Sequence, residues 1–159
     1  MVNPVHVKIL EQGVEVWSKW QEENPEIVLY LRGGELNKIN LTSADLTQAD
    51  LTRANLFNSE LNEAKIENSI IQITLFSDLD LSETKGPDKL GPLGPSSIDH
   101  RTFMKSKNLP EKFLQDCGLP EQFIEHLPGL LNSIEPVQFH SIIISYCWFC
   151  QKILLKAVG

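Results

Sequence analysis

Residues 36–70 read, five at a time, LNKIN, LTSAD, LTQAD, LTRAN, LFNSE, LNEAK and IENSI. Leu36, Leu41, Leu46, Leu51, Leu56, Leu61 and Ile66 share one position of the five. Leu31 begins this series, and Ile71, Phe76 and Leu81 continue it. Two residues before the large position stand small side chains: Ala44, Ala49, Ala54, Ser59, Ala64 and Ser69. A helix needs apolar residues at a mean period of about 3.6 and a strand at about 2. A strict five meets neither, and leucines at that spacing drift right round a helix. The pattern suits a chain that turns a corner every five residues, with the large and the small side chain both facing inward. Four such sides make a coil of about twenty residues. Successive coils bond like parallel strands, and only their stacking buries the interior column.

A coil of that length fixes the neighbours on the outside. It places Asp45 against Lys65, Thr47 against Glu67 and Gln48 against Asn68. It also gathers Asn40, Glu60 and Asp80 into one acidic column, whose plainest use is solubility. Opposite charges facing each other on neighbouring strands stabilise by a few tenths of a kcal/mol. Thr52 is expected on the outer face, where a lysine would be tolerated.

The units Ala44-Asp45-Leu46, Ala49-Asp50-Leu51 and Ala54-Asn55-Leu56 resemble the pentapeptide-repeat family, whose consensus is Ala-(Asp/Asn)-Leu-X-X. The resemblance implies an all-β solenoid, a right-handed quadrilateral β-helix, here of just under three coils.

A solenoid exposes apolar interior and unpaired backbone at its ends. Asn3-Pro4 reads as a helix cap followed by proline in the first turn. Val7, Leu10, Val14 and Trp17 follow at three- and four-residue steps, so one capping helix is expected up to Asn24-Pro25, packed as a lid on the first coil. At the other end, residues 86–95 (GPDKLGPLGP) are too rich in Gly and Pro for a regular element and read as a linker or covering loop. Ser97 is a candidate cap for a helix reaching about Ser106. Pro110 and Pro120 each open a Leu-Pro-Glu-X-Phe-(Leu/Ile) pattern that reads as a helix start, with Cys117-Gly118 as the stop between them. Phe103, Phe113, Phe123, Leu127 and Leu130 are expected to form a satellite core or to cover the last coil.

Residues 138–146 (QFHSIIISY) read as a buried strand. Ile143-Ile144-Ser145-Tyr146-Cys147 resembles the end of the first strand of the Toll/interleukin-receptor homology (TIR) domain. The order of repeats, Gly-Pro-Ser linker and this strand resembles bacterial proteins that join the two domains. The 13 residues after Tyr146 depart from the family pattern and leave out the NAD-cleaving glutamate and the contact loop. The expectation is a truncated remnant with a sticky tail through which the chain could self-associate.

The chain has 159 residues, 42% apolar, and a net charge of -7. That balance disfavours nucleic acid and anionic membrane, which reward a basic face. Residues 1–10 show no secretion signal, and Lys152 and Lys156 interrupt the apolar stretch at 142–158, so no membrane span is expected. Cys117, Cys147 and Cys150 cannot all pair within one chain, which fits a reduced, cytoplasmic protein. Cys147 and Cys150 have C-x-x-C spacing but no second pair of ligands, and His6, His100, His126 and His140 are scattered. No residue is assigned a catalytic, cofactor-binding or metal-binding role, and no enzyme activity is expected.

The expected organisation is a capping helix at 1–25, the repeat at 26–85, a linker with short helices at 86–136, and the TIR-like strand and tail at 137–159. The expected function is a non-enzymatic protein-protein interaction scaffold in signal transduction, with an unidentified protein partner. The alternatives are a DNA mimic that inhibits a topoisomerase and, were a full TIR domain present, an NAD-cleaving enzyme. A three-coil stack is about 14 Å long at ~4.8 Å per coil. It would stand in for only about four base pairs.

Overall fold

A computed structural model describes residues 3–106 and 108–133. Parallel bridges join Tyr30 to Asp50, Glu35 to Asn55, Asn40 to Glu60 and Asp45 to Lys65. A further set joins Asp50 to Ile70, Asn55 to Leu75 and Lys65 to Lys85. The chain therefore climbs in twenty-residue tiers, as a β-solenoid held by one-residue contacts and not by a closed sheet. Backbone bonds run both ways at each bridge. Leu31 N–H donates to the Asp50 carbonyl at 3.0 Å, and Asp50 N–H donates to the Leu29 carbonyl at 2.8 Å.

The interior column is the one read from the sequence. All eleven large residues from Leu31 to Leu81 are at most 2% exposed. Ala44, Ala49, Ala54, Ser59, Ala64 and Ser69 are buried beside them. Most corners are tight turns closed by a bond from the small residue to the preceding large one, as in Ala44 N–H to Leu41 C=O at 2.9 Å. The third residue of the turn takes a positive φ, from Lys38 at 60° through Ser43, Gln48, Arg53, Asn58, Glu63, Asn68 and Ile73 to Asp78 at 58°. This is the backbone of a type II turn. The Asp or Asn before the large residue has a local use. Its Oδ1 accepts the backbone N–H two residues on, at Thr42 (2.9 Å), Thr47 (3.0 Å), Thr52 (3.0 Å) and Phe57 (3.1 Å). Inside the column the hydroxyls reach back one tier. Ser69, Thr74 and Thr84 donate to the carbonyls of Leu46, Leu51 and Leu61 at 2.7, 2.8 and 3.0 Å, and Ser59 donates to that of Leu36. These four buried hydroxyls are thus paired; left unpaired in an apolar interior, each would cost about 1–3 kcal/mol.

Thr52 corrects the expectation of an exposed position, since it is only 2% exposed. It sits in the middle tier. Gly33 N–H bonds to its carbonyl at 2.7 Å, and the next residue, Arg53, bonds to the Gln72 carbonyl at 2.8 Å, so tiers close over it on both sides.

The N-terminal lid is two helices and not one, α1 (Pro4–Glu11) and α2 (Val14–Glu23). The break falls at Gly13, whose φ of 110° does not continue a helix. Asn3 caps α1 by accepting Val5 N–H at 3.0 Å, as its place before Pro4 suggested. Leu10 and Trp17 are fully buried against the first tier.

The Gly/Pro stretch is also corrected, for it holds one strand, and a second follows just beyond it. β1 (Ile70–Ile71) pairs with β3 (Gly91–Pro92), and β2 (Leu75–Phe76) pairs with β4 (Ser97–Ile98), both parallel. A 3-10 turn at Pro87–Lys89 leads into β3. Pro92 is compatible with pairing because the bonds fall on its neighbours. Gly91 and Leu93 donate to the Ser69 and Ile71 carbonyls at 2.8 and 2.9 Å.

The cap of α3 (His100–Lys105) is Asp99, while Ser97 belongs to β4. Past β4 the stack ends on side chains. Asp99 Oδ1 accepts Asp78 N–H at 3.0 Å, Thr102 Oγ1 accepts Leu79 N–H at 3.1 Å, and Ser106 Oγ accepts Leu81 N–H at 3.0 Å. These oxygens take the place of a further tier's carbonyls. α4 (Glu111–Asp116) and α5 (Glu121–Ser133) complete the cover, with Cys117 and Gly118 closing α4. Phe113 meets Phe76 edge-on at 5.3 Å, and Phe103 and Leu127 are buried in the same core. Phe123 is partly buried, but Leu130 is 45% exposed and does not join the cluster expected of it.

Among the described residues no helix is long and apolar enough to cross a membrane. The strand expected at 138–146 and the Cys147/Cys150 pair lie outside the described residues.

Candidate interaction surface

The outer faces are built by the tiers that bury the column. Because each side advances by twenty residues per tier, side chains stack in vertical rows. Asp45 and Lys65 meet in one row at 3.2 Å, as their spacing required. Glu67 and Lys89 pair at 3.4 Å and Glu63 and Lys85 at 3.8 Å, each across twenty-two residues, so the last tier pairs charges at an offset of two from the twenty-residue rows. These side chains are about half exposed, so each pair contributes little to stability. Burial raises the Asp45 carboxyl pKa, but bonds from Thr47 and the bond and charge of Lys65 outweigh it and hold the pKa below the usual carboxylate value.

The acidic row lines a shallow polar recess of ≈ 540 Å³. Asn40, Glu60 and Asp80 form its floor together, as the sequence placed them. Its basic members are Lys38 at one end and Lys105 at the other. Lys105 reaches from α3 to Asp78 Oδ1 at 2.7 Å, and Arg101 adds a contact to the same carboxylate at 3.9 Å. The recess thus carries both signs of charge and spans the repeat and its C-terminal cap. Sequence reasoning missed the cap's part, since Arg101 and Lys105 show no five-residue period.

A second recess, of ≈ 400 Å³ and largely apolar, lies among α3, α4 and α5, with Phe103, Leu109, Leu114, Ile124 and Leu127 in its wall. Nearby, Cys117 is buried, and burial together with the Asp116 charge pushes its thiol up to about 12. It is therefore a packed thiol and not a reactive one. Among the described residues no three of His, Cys, Asp and Glu gather as a metal site.

Residues 35–72 match the pentapeptide repeats family in eight copies. No curated protein and no solved structure matches the chain. The match covers the repeat alone, and nothing in the comparisons supports the resemblance of 143–147 to a TIR strand.

Proposed function

We propose that the chain is a non-enzymatic scaffold that binds another protein through the outer faces of its repeat. The family match supports this, because pentapeptide-repeat proteins generally act in protein interaction. The observation that carries it is the recess at Asn40, Glu60 and Asp80, where charged rows stand on a core whose own polar groups are already satisfied. Such a face is preorganised, so a partner pays little ordering entropy to dock on it.

On this reading the repeat at 26–85 forms a right-handed, four-sided β-helix of just under three coils. Residues 1–25 close one end and 86–136 the other. Assignment of 137–159 to the start of a TIR domain, and hence of the chain to a signalling protein, rests on Ile143 to Cys147 and on the order of repeats, Gly-Pro-Ser linker and strand.

Affinity capture from the native cell tests the proposal, with wild type beside a Glu60→Arg/Asp80→Arg variant. A discrete partner held by wild type and lost from the variant is the expected result. Equal recovery by both would remove this face from consideration. NAD cleavage by the purified chain, or inhibition of DNA supercoiling, would replace the scaffold reading with an enzyme or a DNA mimic.

A further inference from the structure

The lid grips the first tier at two separate places. Trp17 Nε1 and Gln21 Nε2, both on α2, donate to the Asp45 carbonyl at 2.9 and 3.0 Å. At the other place Asn3 N–H donates to the Tyr30 carbonyl at 3.2 Å, and Tyr30 N–H donates to His6 Nδ1 at 3.2 Å. These two bonds belong to α1 and its cap. Gly13 lies between the grips, with a φ of 110° and open space round its α-carbon. A residue of that kind can absorb a rotation of one helix against the other.

His6 is the titratable part of the second grip. Its side chain is buried, with the ring 4.9 Å from Trp20 and 6.4 Å from Trp17, and Nε2 is 3.0 Å from the Asn3 side-chain amide. Two donors face the ring, Tyr30 N–H at Nδ1 and Asn3 Nδ2 at Nε2, since Asn3 Oδ1 is taken by Val5 N–H. The neutral ring has one acceptor nitrogen; giving it to the fixed backbone N–H of Tyr30 puts the ring proton on Nε2, against Asn3 Nδ2. A second proton can enter only at Nδ1, where it sets N–H against N–H. Among the described residues no carboxylate lies within ion-pair distance of the ring to stabilise its charged form. The titratable groups on the packed elements are Lys8 and Glu11 on α1, Glu15, Lys19, Glu22 and Glu23 on α2, and Glu26 and Tyr30 on the segment into the first tier. All are exposed. Burial holds the imidazole pKa below its ordinary 6.5.

We propose that α1 is an acid-released flap whose latch is His6: a proton on Nδ1 breaks the bond from Tyr30, α1 swings about Gly13, and the strand edge at Tyr30 opens while α2 stays on Asp45. The N–H and C=O of Tyr30 point away from the tier below, because Leu31 N–H and the Leu29 carbonyl make the downward bonds. Once freed they leave one unpaired N–H and one unpaired C=O at the rim of the first tier. This adds a pH condition to the scaffold reading, and its test does not depend on any partner.

The test is amide exchange by NMR on the full chain between about pH 7.5 and pH 5, corrected for intrinsic exchange. Protection of Tyr30 N–H is expected to fall about tenfold or more over that range. The Trp17 indole N–H and the Leu51 amide are expected to keep theirs. His6→Gln, which can accept from Tyr30 but cannot titrate there, is expected to abolish the pH dependence. Flat protection at Tyr30 overturns the proposal. So does loss of protection at Trp17 and Leu51 in step with Tyr30, which would mean global unfolding. An unchanged pH profile in His6→Gln also overturns it. Should that variant fail to fold, the imidazole of wild-type His6 must titrate with the midpoint of Tyr30 opening, and a different midpoint rules the latch out.

Discussion

The indole N–H of Trp17 donates to the carbonyl oxygen of Asp45 at 2.9 Å. A carbonyl at the open end of a parallel stack has no tier above to serve it, and here a side chain from the lid does so. Trp17 also fills the end of the apolar column, being fully buried. The two contributions can be separated. Trp17→Phe removes the bond but keeps most of the ring, and is expected to cost about 1 kcal/mol. Trp17→Ala also removes the packing and is expected to cost about 3–5 kcal/mol. Urea midpoints for the two variants check this, and equal midpoints would contradict it.

The interior column predicts a sharp contrast between neighbouring positions. Leu51→Lys places a charge without a partner among Leu31, Ile71 and their neighbours, and is expected to leave the chain unfolded. Asn62→Lys, on an exposed corner, is expected to change stability by less than about 0.5 kcal/mol. Circular dichroism melts of both proteins would show the difference, and similar melts would refute the column.

Asp99 ties α3 to the last tier and gives the fold an acid-sensitive end. Burial raises its pKa, but bonds from Asp78 N–H, Ser77 and Thr102 lower it further, to below the ordinary 3.8. The folded state therefore binds a proton less readily than the unfolded chain. This stabilisation is complete above 3.8 and is lost as pH falls through that value toward the folded pKa. Asp99→Asn is expected to flatten the stability curve on the acid side, and Asp99→Ala to cost about 1–2 kcal/mol at neutral pH. Denaturation midpoints across pH would decide it, and parallel curves for wild type and the Asn variant would count against it.

Ile73 is a β-branched residue at a φ of 55°, and its side chain is 56% exposed. Left-handed backbone is costly for such a residue, and little packing is lost with its side chain. Asn68 and Asp78 show what the next corners use instead. Ile73→Asn is expected to stabilise by about 0.5–1 kcal/mol. An unchanged or lower urea midpoint would mean that Ile73 makes a contribution the strain argument leaves out.

Sequence alone located the column because each large residue repeats one environment, so Leu31 to Leu81 could be read without any partner being known. It located Asp45 beside Lys65 for the same reason. Features that depend on what lies above and below were harder to read. Thr52 is buried by its neighbouring tiers and not by its own character. The break between α1 and α2 was hidden because Leu10, Val14 and Trp17 keep helical spacing across it, leaving Gly13 as the only sign. β3 was hidden because strand propensity counts Pro92 against pairing, whereas a strand bonded through Gly91 and Leu93 needs no N–H at that position. The role of Asp99, Thr102 and Ser106 as replacement acceptors has no sequence period at all. As for the recess, its acidic side was legible from the period, but the part that Lys105 of α3 plays in its lining was not.

The ion-paired rows bear on a hazard peculiar to repetitive chains. A slip of one five-residue unit leaves the interior unchanged, because leucine is exchanged for leucine, so hydrophobic burial cannot tell the native alignment from its neighbours. The exterior can. Shortening a tier by one unit would set Asp45 against Glu60 and would bring Asp80 in place of Lys85 opposite Glu63, replacing attraction by repulsion in two rows. Pairs that add almost nothing to the depth of the native well thus raise the energy of its nearest decoys, and the surface charges act as an alignment code for a core that has none.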